Sequence, residues 1–447
     1  MPYIPNTDED RKKMLKKIGV RSFEELLCEI PEELLFKGKY NLPQALSEYE
    51  VKKKIEGISA LNKSTKDNIS FVGAGIYDHF IPSVVNTISG RSEFYTAYTP
   101  YQAEVSQGTL QSIFEFQSMV CELFDMDVAN ASMYDGATAL AEAAHMAVDI
   151  SGKKEIVLLD TVHPYYQKTL ETYTKGQGIT IKRIPCSSAG RVNSAEVAMV
   201  IDKNTAACMV QHPNFLGTLE EIDEIEKIVH SNGSLLISCV HPLTLGILKA
   251  PGEYNSDIAV GEGQPLGLPQ NFGGPLLGLF TAKKEFIRRM PGRIIGETVD
   301  LDGKSGFVMT LQTREQHIRR EKATSNICTN EGLCALRAAV YLSLLGRQGV
   351  GEVSKLIYEK SHYLAKSIEE IDGFELAFPG TPFFIEFTVK SKKPAQEILE
   401  KAREKGIFAG VDLGTFRDEW KNYILIAVTE KRTKQEMDRF VNVLNSL

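Results

Sequence analysis

Four stretches of the 447-residue chain hold side chains at spacings that suit binding or catalysis. The first is Tyr134, Asp135, Gly136, Ala137, Thr138 and Ala139, small residues that open a helical pattern running through Glu142, His145 and Met146. A helix start of this kind is a natural seat for phosphate, because unpaired backbone N–H groups and the macrodipole both favour an anion. Asp135 is equally an ordinary N-cap, and its carboxylate competes for the same donors. The second is the glycine- and proline-rich run 261–275, where backbone can approach a ligand closely or simply turn. The third, Arg319, Arg320, Glu321, Lys322, Ala323, Thr324, Ser325 and Asn326, offers guanidinium and hydroxyl donors to a phosphate or carboxylate. A solvated basic helix end has the same composition. The fourth, 98–108, packs Tyr98, Thr99, Tyr101 and Gln102 together, either as the lining of a small polar pocket or as a surface loop with buried rings.

Other chemistries are disfavoured. His163, His212 and His241 each precede proline, and no HxxxH or HExxH spacing accompanies them, so no metal site is expected. The chain has no GxSxG and no P-loop lysine, which argues against hydrolase and nucleotide-binding readings.

The elements that must position these residues follow from periodicity. Short apolar runs at 156–159, 206–210, 235–237, 258–260 and 276–280 alternate with helical or loop stretches, the rhythm of a mostly parallel sheet covered by helices. Thr218 and Glu221 fit a capping box ahead of Ile222, Ile225 and Val229, which recur at helical spacing. A further helix is expected from Glu331, with Leu333, Leu336, Val340 and Leu344 on one stripe and Gly346 as its stop. Beyond it, 383–389 and 423–428 read as strands and 393–405 and 434–444 as helices, a small α+β domain. Ahead of the sheet, residues 7–57 are charged and helical in pattern, broken by Pro31 and Pro43, with Leu15, Ile18, Leu26 and Leu27 as sparse apolar positions. The expected division is an N-terminal helical arm over 1–65, a large domain over 66–330 and a small domain over 331–447.

Composition bounds the function. The apolar fraction is 43% and the charged fraction 24%, inside the globular range. Lys plus Arg is 51 against Asp plus Glu 58, with both signs mixed, so no nucleic-acid footprint is expected. No apolar run of membrane-spanning length and no signal-like N-terminus is present, and the seven cysteines contain no CxxC pair. The expectation is a cytoplasmic protein with reduced thiols and no membrane partner.

Taken together, YTPYQAEVSQG (98–108), NASMYDGATALAEA (130–143), HPNFLGTLEE (212–221), GEGQPLGLPQNFGGP (261–275) and REKATSNICTNEGLCAL (320–336) resemble the P-protein family of the glycine cleavage system. The match is closest to the N-terminal half of that family, which in many bacteria is a separate alpha chain. The resemblance implies an α/β fold of the pyridoxal-phosphate transferase type (fold type I), with a mostly parallel seven-stranded sheet and a small C-terminal domain. It also places Gln264 where the Schiff-base lysine of the catalytic half stands, and an amide cannot form an imine. The strand at 235–241, which the fold uses to carry an aspartate to the pyridine nitrogen, shows no carboxylate. No catalytic residue is therefore expected in this chain alone.

The implied function is that of an alpha subunit. A beta subunit in an alpha2beta2 assembly holds pyridoxal phosphate, glycine is decarboxylated, and the aminomethyl group passes to the lipoyl arm of H-protein. On this reading Arg319, Lys322, Thr324, Ser325 and Asn326 form a loop reaching the partner's site, and Tyr98, Thr99, Tyr101 and Gln102 line the pocket. The alternative is a purely structural or regulatory subunit that stabilises the beta chain and docks H-protein.

Overall fold

The computed structural model describes residues 5–447, and the chain divides after Lys63 into two units. The first unit is held by local hydrogen bonds. Thr7 and Asp10 form a reciprocal capping box at the start of the helix Asp8–Ile18, which ends on Gly19 in the left-handed region. Ser47 and Glu50 do the same for the helix Glu48–Ser59. No described residue of this unit is buried.

The second unit is built on seven strands: β1 (Val128–Ala129), β2 (Glu155–Leu159), β3 (Thr180–Ile184), β4 (Thr205–Gln211), β5 (Leu235–Val240), β6 (Ile258–Glu262) and β7 (Gly278–Ala282). Their order across the sheet is β1-β7-β6-β5-β4-β2-β3. β2, β3, β4, β5 and β6 pair in parallel, and β7 runs antiparallel to both β6 and β1. The mostly parallel sheet expected from the apolar runs is present, with the seven strands that the resemblance implies.

Both faces of the sheet are covered, which explains the continuous apolar runs. Side chains alternate along a strand. Ile156 and Leu158 pack on Ala139, Leu140, Ala143 and Ala144 of the helix Gly136–Ser151. Val157 and Leu159 pack oppositely, on Ile222, Ile225 and Val229 of the helix Ile222–Ser231. The crevice at the carboxyl ends of the parallel strands is the usual place for a ligand in such a sheet.

Three local expectations are corrected. The helix Ile222–Ser231 begins on Glu221 without a side-chain cap. Thr218 belongs to the preceding turn, where its hydroxyl donates to the Gly190 carbonyl at 2.6 Å, and Glu221 pairs with Arg191 at 2.7 Å. Gly346 does not stop its helix: the element spans Gly332–Glu369, and Gly346 (φ 57, ψ −175) breaks it midway. The stripe on that helix is also shifted. Leu333 and Leu344 are exposed, while Cys334, Ala335, Ala338, Tyr341 and Leu342 join Leu336 in the core.

Beyond that helix lies a four-stranded antiparallel sheet in the order Phe374–Leu376, Glu386–Ser391, Tyr423–Ala427, Val411–Asp412. The helices Ala395–Glu404 and Lys434–Asn445 supply Ile398, Ala402, Met437 and Phe440 to its core. Distant chain joins this layer. Ile69–Ser70 pairs in parallel with Ile407–Phe408, and Phe71 stacks on Phe440 with ring centroids 4.5 Å apart. A hairpin without a counterpart in the sequence reading, β8 (Ile294–Val299) with β9 (Ser305–Thr310), lies against the helix Gln107–Phe124. There the Gln117 amide accepts from Ile295 N at 2.9 Å and donates to its carbonyl at 3.0 Å.

Candidate functional site

β6 ends on Glu262, and two residues later Gln264 lies inside the crevice, 1% exposed. Its side-chain oxygen accepts from Tyr77 N at 2.9 Å, and its amide nitrogen donates to the carbonyls of Tyr77 at 3.0 Å and Leu268 at 2.8 Å. Both ends of the amide are thus engaged with backbone. The Glu262 carboxyl group lies alongside. Its Oε2 accepts from Gly136 N at 2.9 Å, and its Oε1 accepts from Gln264 N at 2.9 Å and Leu277 N at 3.0 Å. Burial pushes this carboxyl up to about 8, against the three N–H donors that favour its charged form.

Gly136 is the first residue of the helix Gly136–Ser151, whose N-cap is Asp135. Asp135 Oδ1 accepts from Thr138 N at 2.7 Å, so the aspartate is a cap, and Glu262 takes the N–H of the first turn nearest the crevice. There is little room between them. A Cβ on Gly136 would lie 2.6 Å from Tyr166 Oη and 3.2 Å from Glu262 Cβ. Tyr166 stacks on His163 with centroids 4.9 Å apart, and burial pushes its phenol well above the ordinary value. His163 accepts from Tyr165 N at 3.1 Å on Nδ1 and meets the Ala74 carbonyl at 3.0 Å through Nε2, which the neutral Nε2–H tautomer satisfies. Burial accordingly pushes that imidazole down to about 4.

The end of β5 carries no acid. Cys239 is buried with its thiol pushed up to about 12, and His241 follows with both ring nitrogens buried and unpartnered, pushed down to about 3. His241 meets the Tyr77 ring edge-on at 4.8 Å. Tyr77 Oη donates to Glu386 Oε2 at 2.8 Å, and Glu386 Oε1 accepts from Ala74 N at 2.6 Å, with burial pushing this carboxyl up to about 7.

These residues do not fit pyridoxal phosphate. Position 264 offers no amine and its amide is bonded to backbone at both ends, the helix start is occupied by the chain's own carboxyl group, and the end of β5 carries no acid.

The other candidate residues lie at two separate places. Thr99 and Tyr101 converge on Arg293, a buried side chain that sequence reasoning missed. Its guanidinium donates to Thr329 Oγ1 at 3.0 Å, the Cys328 carbonyl at 2.8 Å, Tyr101 Oη at 3.3 Å and Thr99 Oγ1 at 3.4 Å. Its Nε stands 3.6 Å from Glu315 Oε2, an ion pair without a hydrogen bond, and Glu315 Oε1 has no partner. Nothing local signals this hub, because Arg293 sits alone between a Pro-Gly turn and an apolar strand. Tyr98 is 88% exposed and, with Thr99, lines a cavity of about 240 Å³ beside Tyr95, Ile113, Asn330 and Leu333. Gln102 is exposed.

Arg319, Lys322 and Thr324 line a different cavity, about 450 Å³, with His145, Asp149, Lys154 and Arg289 beside the C-terminal half of the helix Gly136–Ser151. Ser325 Oγ accepts from Ile327 N at 3.1 Å and hydrogen-bonds Glu142, a carboxyl that burial pushes up to about 7. Asn326 is exposed. The basic loop and the tyrosine segment therefore do not share a pocket within this chain.

The family model described as "Glycine cleavage system P-protein" matches residues 1–444. A protein from Chlorobium phaeobacteroides described as probable glycine dehydrogenase (decarboxylating) subunit 1 is 52% identical over 449 residues, covering all of both chains. A crystal structure of glycine decarboxylase (P-protein) of the glycine cleavage system, in inhibitor-bound form, superposes with a TM-score of 0.92 at 40% identity over the full length of both chains. A sphingosine-1-phosphate lyase from Burkholderia pseudomallei, 14% identical, superposes with a TM-score of 0.68 over 93% of this chain and 94% of its own, a likeness of fold alone.

Proposed function

We propose that this chain, which belongs to the glycine cleavage system P-protein family, is the glycine decarboxylase subunit that holds no cofactor and works only beside a chain that does. The observation that carries this reading is Gln264, an amide with its oxygen and nitrogen both bonded to backbone; the resemblance lays it on the position of the imine-forming lysine. The partner is a related beta subunit carrying pyridoxal phosphate, paired as alpha2beta2 in the cytosol. Together they decarboxylate glycine and pass the aminomethyl group to the lipoyl arm of H-protein. No described helix is long and apolar enough to cross a membrane.

This chain's contribution is binding and positioning at the partner's site. Thr324, Ser325 and Asn326 present short hydrogen-bonding groups, and Arg319 and Lys322 supply positive charge suited to a phosphate or carboxylate. Tyr98, Thr99, Tyr101 and Gln102 line the approach, with Thr99 and Tyr101 anchored from below by Arg293. Glycine–bicarbonate exchange in the reconstituted complex with H-protein tests the assignment. Thr324→Ala with Asn326→Ala is expected to cut exchange about 10-fold or more, the scale of one or two lost hydrogen bonds to a charged group, with assembly intact. Unchanged exchange from an intact assembly sinks the active role and leaves a structural subunit.

A further inference from the structure

We propose that Glu262 and Gln264 form a two-part lock that fills the crevice in which the fold's cofactor would lie, so that restoring a lysine at position 264 does not by itself restore cofactor binding. This rests on the reading of the chain as the subunit without a cofactor, and goes beyond it by naming what keeps the crevice closed. A helix start in this position draws an anionic or acceptor group to its free N–H groups. Here the acceptor is internal: Glu262 spans the gap from the end of β6 to Gly136 N, and its other oxygen ties down Gln264 N and Leu277 N.

Gln264 closes the opposite side. Its amide joins the backbone at Tyr77 to the backbone at Leu268 and so ties the two loops together. The two residues support each other, because Glu262 Oε1 holds the Gln264 backbone that aims the amide. Tyr166 completes the fill, as its hydroxyl stands where a Cβ on Gly136 would point. A lysine at 264 would lose the amide's acceptor, leaving Tyr77 N unpaired. It would still face a helix start already taken by a carboxyl group.

The test uses the full-length chain and pyridoxal phosphate as the probe, with borohydride trapping and mass mapping of the adduct. An amine at 264 condenses with the aldehyde, releasing water, and borohydride delivers hydride to the imine to give a stable secondary amine. Gln264→Lys alone is expected to take up no more label at 264 than wild type, and Glu262→Ala with Gln264→Lys is expected to label stoichiometrically there. Equal labelling of the single and double variants overturns the lock, as does a folded double variant that stays unlabelled.

A second measurement covers a double variant that fails to fold. Glu262→Ala alone leaves Gly136 N, Gln264 N and Leu277 N without their acceptor, so inorganic phosphate should raise its Tm above that in chloride at equal ionic strength. Wild type should show no such rise. No phosphate-specific rise in Glu262→Ala overturns the proposal. Specific labelling of a lysine in the wild-type chain overturns instead the reading of a cofactor-free subunit.

Discussion

The crevice at the end of β6 and the surface around Tyr98 contrast in how their polar groups are satisfied. In the crevice, Glu262 and Gln264 find hydrogen-bond partners within the chain, and Tyr166 packs against the helix start with little space to spare. Around Tyr98, a buried arginine holds hydroxyls and carbonyls from beneath, while Tyr98, Tyr101 and Gln102 are exposed and Glu315 keeps an unpaired oxygen. In the crevice the His241 ring nitrogens are left without partners, while Gly136 N at the helix start and the groups of Gln264 are engaged. A rigidly anchored surface with unused side chains has groups to offer a ligand, provided another molecule covers it. The difference is between a crevice filled by its own side chains and a surface held from beneath with side chains to spare.

The comparison breaks most readily at Arg293. Removing it in Arg293→Ala takes the guanidinium from the buried Glu315 carboxylate and frees the carbonyl of Cys328, so a loss of about 3–5 kcal/mol is expected in denaturant unfolding. A loss below about 1 kcal/mol, the level of an exposed ion pair, would show that the surface is not anchored as described.

The pH dependence of stability sharpens the other side. Glu386 is raised from 4.5 to about 7 by burial, so its contribution is fully present below pH 4.5 and is lost as pH rises through about 7. That difference amounts to about 3 kcal/mol. Glu262, raised to about 8, adds in the same direction. His163, His212 and His241 are depressed to about 4, about 4 and about 3, so their contribution is present above 6.5 and lost as pH falls through those values. Stability is therefore expected to decline between about pH 6.5 and 8, and Glu386→Gln should flatten the part of that decline below about pH 7. An unchanged slope in Glu386→Gln assigns the decline elsewhere.

A smaller effect tests how tightly the crevice is filled. Gly136→Ala forces a methyl group against Tyr166 Oη and Glu262 Cβ and should destabilise by about 1–3 kcal/mol, as overpacking does. A neutral or stabilising outcome would mean that the crevice has slack.

Much of the fold is legible in the sequence because it is local. Apolar runs at 156–159, 206–210 and 258–260 lie within the strands observed there, since burial on both faces leaves a strand no polar face to hide behind. Gln264 stands out only through the resemblance, which lays it on the position of a lysine. Long-range pairings leave no such trace. Glu262 reaches Gly136 across 126 positions, and Arg293 reaches Tyr101 across 192. Glu262 was readable only as a lone carboxylate where an apolar strand meets a glycine run. The false capping box at Thr218 failed for the complementary reason: the local pattern was right, but the Gly190 carbonyl claimed the hydroxyl.

The most direct test of the central claim is the visible absorbance of the purified chain with pyridoxal phosphate, alone and with its beta partner, alongside glycine–bicarbonate exchange in the presence of H-protein. An imine band and exchange that appear only with the partner are the predicted result. A borohydride-reducible imine on a specific lysine of this chain alone would contradict it and give the chain a cofactor centre of its own.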